Sequence, residues 1–119
     1  MFRGHGRAGV NIEGSRIVLT DHAIKRVSSR YPEFAKLDRI DLCRGVAREI
    51  ADSIRSEQIA KTRPRWAVLA NDGDGRRAKG HYGTRYVWND ERTHIYSVKQ
   101  VNDGTVVVIT AFWTRPEEA

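Results

Sequence analysis

Cysteine is almost missing from this chain: Cys43 is the single one in 119 residues. An internal disulfide is therefore excluded, and so is a metal cluster built on several thiolates. No apolar run approaches the ~18–20 residues that a membrane-spanning helix needs. Runs such as Val106 to Ile109 have the length of a buried strand. The opening stretch MFRGHGRAGVNIEGSR holds no apolar core of the kind a secretory leader requires, so a cytosolic location is expected. Histidine is scarce, with four residues and no His-x3-His pair, which disfavours zinc. The GDG at Gly73 to Gly75 lacks the lysine and hydroxyl ending of a phosphate loop. No internal repeat or low-complexity segment is evident.

What is present is positive charge. The net charge is +6, and the sequence pI is near 9.9. Residues 1–36 and 61–92 each carry a net +4, whereas 37–60 and 93–119 each carry a net −1. If the two basic segments meet in space, they create a field that attracts polyanions. The length suits one domain, and a hydrophobic fraction of 39% suits a small core beneath a charged surface.

The first 15 residues contain four glycines and little periodicity, and read as a flexible arm. Ile17 to Leu19 form a short strand or extended lead-in. Thr20 is a good N-cap, because its hydroxyl can accept from a free N–H of the first turn. Asp21 favours the positive helix end and is spaced to pair with Lys25. Pro32 ends this helix, since the residue before proline avoids the helical region. A second helix is expected from Asp38 to about Ala60. Ile40, Cys43, Val46, Ala47, Ile50, Ala51 and Ile54 recur there at three and four, as one buried stripe. That stripe makes Cys43 a core residue rather than a nucleophile. Gly45 interrupts it at a cost of about 1 kcal/mol relative to alanine, so a close helix contact is expected there.

Beyond Lys61 the pattern turns to strands: RWAVLA, TRYVWND, THIYSVKQV and TVVVITAFW. Asn102 to Gly104 is a hairpin turn, because these residues tolerate positive φ. Residues 71–83 form a glycine-rich basic loop. The expected fold class is α+β, with two N-terminal helices packed on a four-stranded antiparallel sheet. The expected organisation is an arm at 1–15, one domain at 16–115 and a tail at 116–119.

His22, Arg26 and Arg30 recur at four. They form one ridge on the first helix, drifting about 80° from first to last. Arginine offers a planar fork matched to phosphate oxygens. A histidine near neutral pKa can take or give a proton. The helix dipole in the first turn lowers an imidazole's pKa. A base beside two phosphate clamps is what RNA cleavage needs, without metal. The same spacing also describes an ordinary solvated helix face.

The stretch LTDHAIKRVSSR, a long helix, and then GTRYVWNDERTHIYSVKQVNDGTVVVITAFW together resemble the RelE-like small ribonuclease-toxin superfamily. That superfamily (BECR) also holds barnase-like, EndoU-like and colicin-type nucleases. The resemblance covers roughly residues 16–113. It implies metal-independent RNA cleavage, or a descendant of it, with no cofactor. By resemblance, the helical histidine falls on His22, the helical arginines on Arg26 and Arg30, and the last-strand threonine on Thr110. Arg85, Tyr86 and Lys99 compete for a further middle-strand role.

The loop residues Arg76, Arg77, Lys79 and His81, with Arg85 and Lys99, are candidate RNA contacts; a solvated loop is the plainer reading. His94 beside a turn is expected on the surface or in a cross-strand pair. His81 and His94 are also candidates for a second acid, and His5 is expected to be inert. At least two of Trp66, Trp88 and Trp113 are expected in the core, leaving one to stack a base. Alternation puts Thr110 on one face with Val108 and Phe112, and leaves open which face is covered. The expected activity is endoribonuclease cleavage leaving a 2′,3′-cyclic phosphate. The expected partners are RNA and an acidic antitoxin or immunity protein, with no membrane. The rival expectation is a non-catalytic interaction module of the same fold, from a mobile element or phage, binding a host protein or nucleic acid. A DNA-binding regulator is a third, weakened by the lack of a helix-turn-helix pair.

Overall fold

The computed structural model describes residues 7–68, 83–102 and 104–114. The described chain runs β1 (Arg7–Ile12), β2 (Ser15–Thr20), α1 (Asp21–Arg30), α2 (Pro32–Ala35), α3 (Arg39–Arg55), β3 (Ile59–Ala60), β4 (Ala67–Val68), β5 (Thr84–Trp88), β6 (Ile95–Asn102) and β7 (Thr105–Thr114). Among the described residues the sheet has seven strands, in the order β1-β2-β7-β6-β5-β3, with β4 on β7. It is mixed, because β2 lies parallel to β7 while every other pair is antiparallel. No helix of the described residues is long and apolar enough to cross a membrane.

This corrects the expectation of two helices on a four-stranded antiparallel sheet. The difference begins in the glycine-rich stretch expected to be an arm. From Arg7 onward it is a strand, paired with β2 through Ile12↔Ser15. Glu13 and Gly14 make its turn with φ of 49° and 85°. A two-residue hairpin needs positive φ at both central positions, and glycine adopts it freely. The β1–β2 hairpin then joins the far edge of β7 in parallel. Parallel pairing of residues 89 positions apart leaves no local trace in the chain, because β2 returns to β7 only after the helices and the other strands. A third helix also appears, because Tyr31 takes extended φ/ψ and Pro32 restarts a short turn.

The helix ends follow the expected chemistry. Thr20 Oγ1 accepts from the Ala23 amide at 3.0 Å, and Asp38 Oδ1 accepts from the Asp41 amide at 2.8 Å. The long helix ends at Arg55, before the expected Ala60. On α3, Leu42, Cys43, Val46, Ala47 and Ile50 are buried, whereas Ile40 and Ile54 are exposed. A Cβ on Gly45 would come within 2.8 Å of the Phe34 ring, so this glycine does seat α2 against α3.

Two apolar clusters lie on opposite faces of the sheet. The larger joins α1, α2 and α3 to Val87, Tyr96, Val98, Val108 and Ala111. The smaller joins Trp66, Ala67, Tyr86, Ile95 and Phe112, with Trp88 beside it. Strand β7 serves both because its alternation is broken. Thr110 pairs with Ser97 but Val108 pairs with Val98, so Ile109 is an extra residue, a β-bulge. The bulge puts Val108 and Ala111 on the helix face. It puts Thr110 with Phe112 on the other, so the shared face expected for Val108, Thr110 and Phe112 does not exist.

Candidate nucleic-acid interface

Helix α1 turns its apolar side (Ala23, Ile24, Val27) into the larger cluster and leaves His22 exposed. Arg26 Nε donates to His22 Nε2 at 3.4 Å. The imidazole pKa is lowered, first by partial desolvation and then by Arg26, Arg30 and Lys25. His22 is thus a neutral acceptor in a positive field. Asp21 does not pair with Lys25 as expected. Its carboxylate accepts from Arg39 Nη2 at 2.7 Å, tying the start of α1 to the start of α3.

Arg30 departs from the exposed ridge. It is 9% exposed, and its Nη1 donates to the Ala111 carbonyl at 2.6 Å. The reason lies in β7. Its outer edge pairs with β2 up to Leu19↔Val108, and with β4 only from Val68↔Trp113. Arg30 fills the gap between them. Its guanidinium also lies 5.3 Å from the centroid of the Trp113 ring. Trp113 is 43% exposed.

The four residues carried over by resemblance therefore separate. His22 and Arg26 touch each other. Arg30 sits beside them but is committed to Ala111 and Trp113. Thr110 is half-buried and stands on the face of the sheet shared with Ser97 and Phe112, away from the helices. Lys99 lies on that same face, half-buried and opposite Thr84. Arg85 lies opposite Val98, on the helix side, and its Nη1 donates to the Thr84 carbonyl at 3.3 Å. Arg76, Arg77, Lys79 and His81 lie outside the described residues, as does His5. Trp66 is buried and Trp88 half-buried, in an edge-to-face pair with ring centroids 5.7 Å apart. Burial raises the Cys43 thiol pKa, as suits a core cysteine.

His94 was expected at the surface or in a cross-strand pair, and it is buried. Its Nδ1 lies 2.9 Å from a Glu49 carboxylate oxygen, and its Nε2 lies 3.2 Å from Glu33. Tyr96 donates its hydroxyl to Glu49 at 2.6 Å. The rings of Tyr31 and Phe34 lie against the imidazole, at centroid distances of 4.3 and 5.2 Å. Desolvation pulls the His94 pKa down, but the hydrogen bonds and charges of Glu49 and Glu33 outweigh it, and the net shift is upward. With both nitrogens within hydrogen-bond distance of carboxylates, His94 ties α2 and α3 to the start of β6. The available signal was Glu49, a carboxylate lying beside the apolar stripe of α3.

Comparisons with family models, with curated proteins and with solved structures give no match.

Proposed function

We propose that this is a cytoplasmic RNA-binding protein that cuts RNA without metal, using the exposed side of α1. The observation that carries the reading is the contact of His22 with Arg26 on an exposed helix face, with Lys25 and Arg30 close enough to act on the same imidazole. A neutral imidazole can take the proton of a ribose 2′-hydroxyl. The 2′-oxygen then bonds to phosphorus, and the P–O5′ bond breaks. The leaving 5′-oxygen takes a proton from water, the imidazolium returns its proton to the hydroxide so formed, and the products carry a 2′,3′-cyclic phosphate and a 5′-hydroxyl. Arg26 stabilises charge on the phosphoryl oxygens. A basic toxin of this kind would be neutralised by an acidic protein partner.

The test is a labelled RNA incubated with the protein in EDTA, beside His22→Ala and Arg26→Ala. Cleavage that both substitutions reduce at least tenfold is expected. A tenfold change corresponds to about 1.4 kcal/mol of transition-state stabilisation. No cleavage by the wild type, on free RNA and on translating ribosomes alike, would refute the enzyme.

A second reading keeps the surface and drops the chemistry: a non-catalytic module of a mobile element or phage. What favours it is the commitment of Arg30 to the Ala111 carbonyl, together with the position of Thr110 on the other face. RNA binding without cleavage is its expected signature.

A further inference from the structure

We infer that Trp113 is a base-stacking platform and that the nucleic acid taken by the α1 ridge is single-stranded. The inference rests on the RNA reading and adds the substrate class. Of the three tryptophans, Trp66 is 7% exposed while Trp113 is 43% exposed. Trp113 is also fixed from beneath. Arg30 lies over its ring at 5.3 Å, and Arg30 is itself pinned by the Ala111 carbonyl at 2.6 Å. A buried, hydrogen-bonded guanidinium cannot swing away, so the indole is held in place by a cation–π contact before any ligand arrives.

The neighbours supply the other half of a single-strand site. Arg30 shares helix α1 with Lys25 and Arg26, so the indole stands at the end of a helix that carries an exposed and a half-buried cation. Cations that track a phosphate backbone beside an aromatic that stacks bases are the two parts of a single-strand surface. A duplex keeps its bases stacked on one another and offers no free π-face to a side chain, whereas an unpaired base does. The scissile phosphate would then lie at His22 and a flanking base on Trp113.

The probe is a dye-labelled 2′-O-methyl RNA octamer, which has no 2′-hydroxyl to lose a proton and so is not cut by this route. Its affinity is measured by anisotropy, as the single strand and as the duplex with its complement. The single strand should bind at least tenfold tighter than the duplex. Trp113→Ala should weaken single-strand binding about fivefold or more and leave duplex binding within about twofold. Trp113→Phe keeps a ring for Arg30 and retains most of the affinity, but it should lose the ligand-induced quenching of tryptophan fluorescence. A folded Trp113→Ala that binds the single strand like the wild type would overturn the platform and leave the RNA reading standing. Quenching that persists in Trp113→Phe, or a wild type that prefers the duplex, would overturn it too. Binding of neither probe at low salt would sink both readings together.

Discussion

The hydroxyl of Tyr31 sits inside the β6–β7 ladder, between Ile95 and Phe112. It accepts from the Ile95 amide at 2.9 Å. It also reaches the carbonyls of Phe112 and Ile95 at 2.7 and 2.9 Å, donating to one at a time. Burial, with Glu49 nearby, pushes the phenol pKa well up, so the group stays a donor across the ordinary pH range. The residue that ends α1 is thus bolted to the two central strands.

Removing that hydroxyl should cost stability. Tyr31→Phe leaves the Ile95 amide and the Phe112 carbonyl without this partner inside the sheet. A loss of about 1–3 kcal/mol is expected from urea unfolding, by the usual cost of stranding a buried polar group. Amide exchange at Ile95 should accelerate. A variant as stable as the wild type would show that the ladder closes over the gap.

The clamp around His94 predicts a pH dependence of folding. His94 has a raised folded pKa, so its contribution is full below its unfolded value near 6.5 and is lost as pH rises through the folded value. Glu33 has a lowered folded pKa, set first by its own backbone hydrogen bond and then by His94. Its contribution is present above its unfolded value near 4.5 and is lost as pH falls through the folded one. The clamp is therefore strongest between about pH 4.5 and 6.5. Urea midpoints should fall from pH 6 to pH 9 in the wild type. His94→Ala should lower stability by about 3 kcal/mol or more at pH 6, since it strands Glu49 under Tyr96. Its midpoint should change less between pH 6 and pH 9; an unchanged slope would place the titration elsewhere.

Thr84 offers a test of the opposite sign. It is 5% exposed, and its hydroxyl oxygen has no hydrogen-bond partner among the described residues. Thr84→Val removes a desolvated hydroxyl at nearly constant volume. Thermal unfolding should show a stability unchanged or higher by up to about 1 kcal/mol. A clear loss would mean that the hydroxyl is satisfied in solution.

If His22 is the base, the pH profile of cleavage should carry its signature. The base works deprotonated, so kcat/KM should rise with pH through a pKa below 6.5. Arg26→Gln removes one of the cations that lower it, so the acid limb should move to higher pH. The move should be partial, because desolvation is the larger cause. A limb that stays in place would separate His22 from the titrating group.

The elements that could be read from the chain were those whose cause is local. Thr20 and Asp38 announced their helices because a cap needs only the next three residues. The middle of the α3 stripe (Cys43, Val46, Ala47 and Ile50) and the Pro32 stop followed from spacing alone, whereas Ile40 and Ile54 at its ends are exposed. The His22–Arg26 contact was equally legible, since residues four apart meet on any helix.

What only the tertiary structure decided depends on residues far apart in the chain. The parallel docking of β2 on β7 opened the gap that draws Arg30 inward, 81 positions from its acceptor Ala111. The Ile109 bulge moved Thr110 off the face that holds Val108, and no alternation count can see an extra residue without its partner strand. His94 was buried by two glutamates, 61 and 45 positions away. The sequence by itself thus determined the starts of α1 and α3 and the His22–Arg26 contact, because those rest on neighbours along the chain. Sheet order, register and the fate of Arg30, Thr110 and His94 were decided by long-range pairing, whose energy appears only when the strands meet.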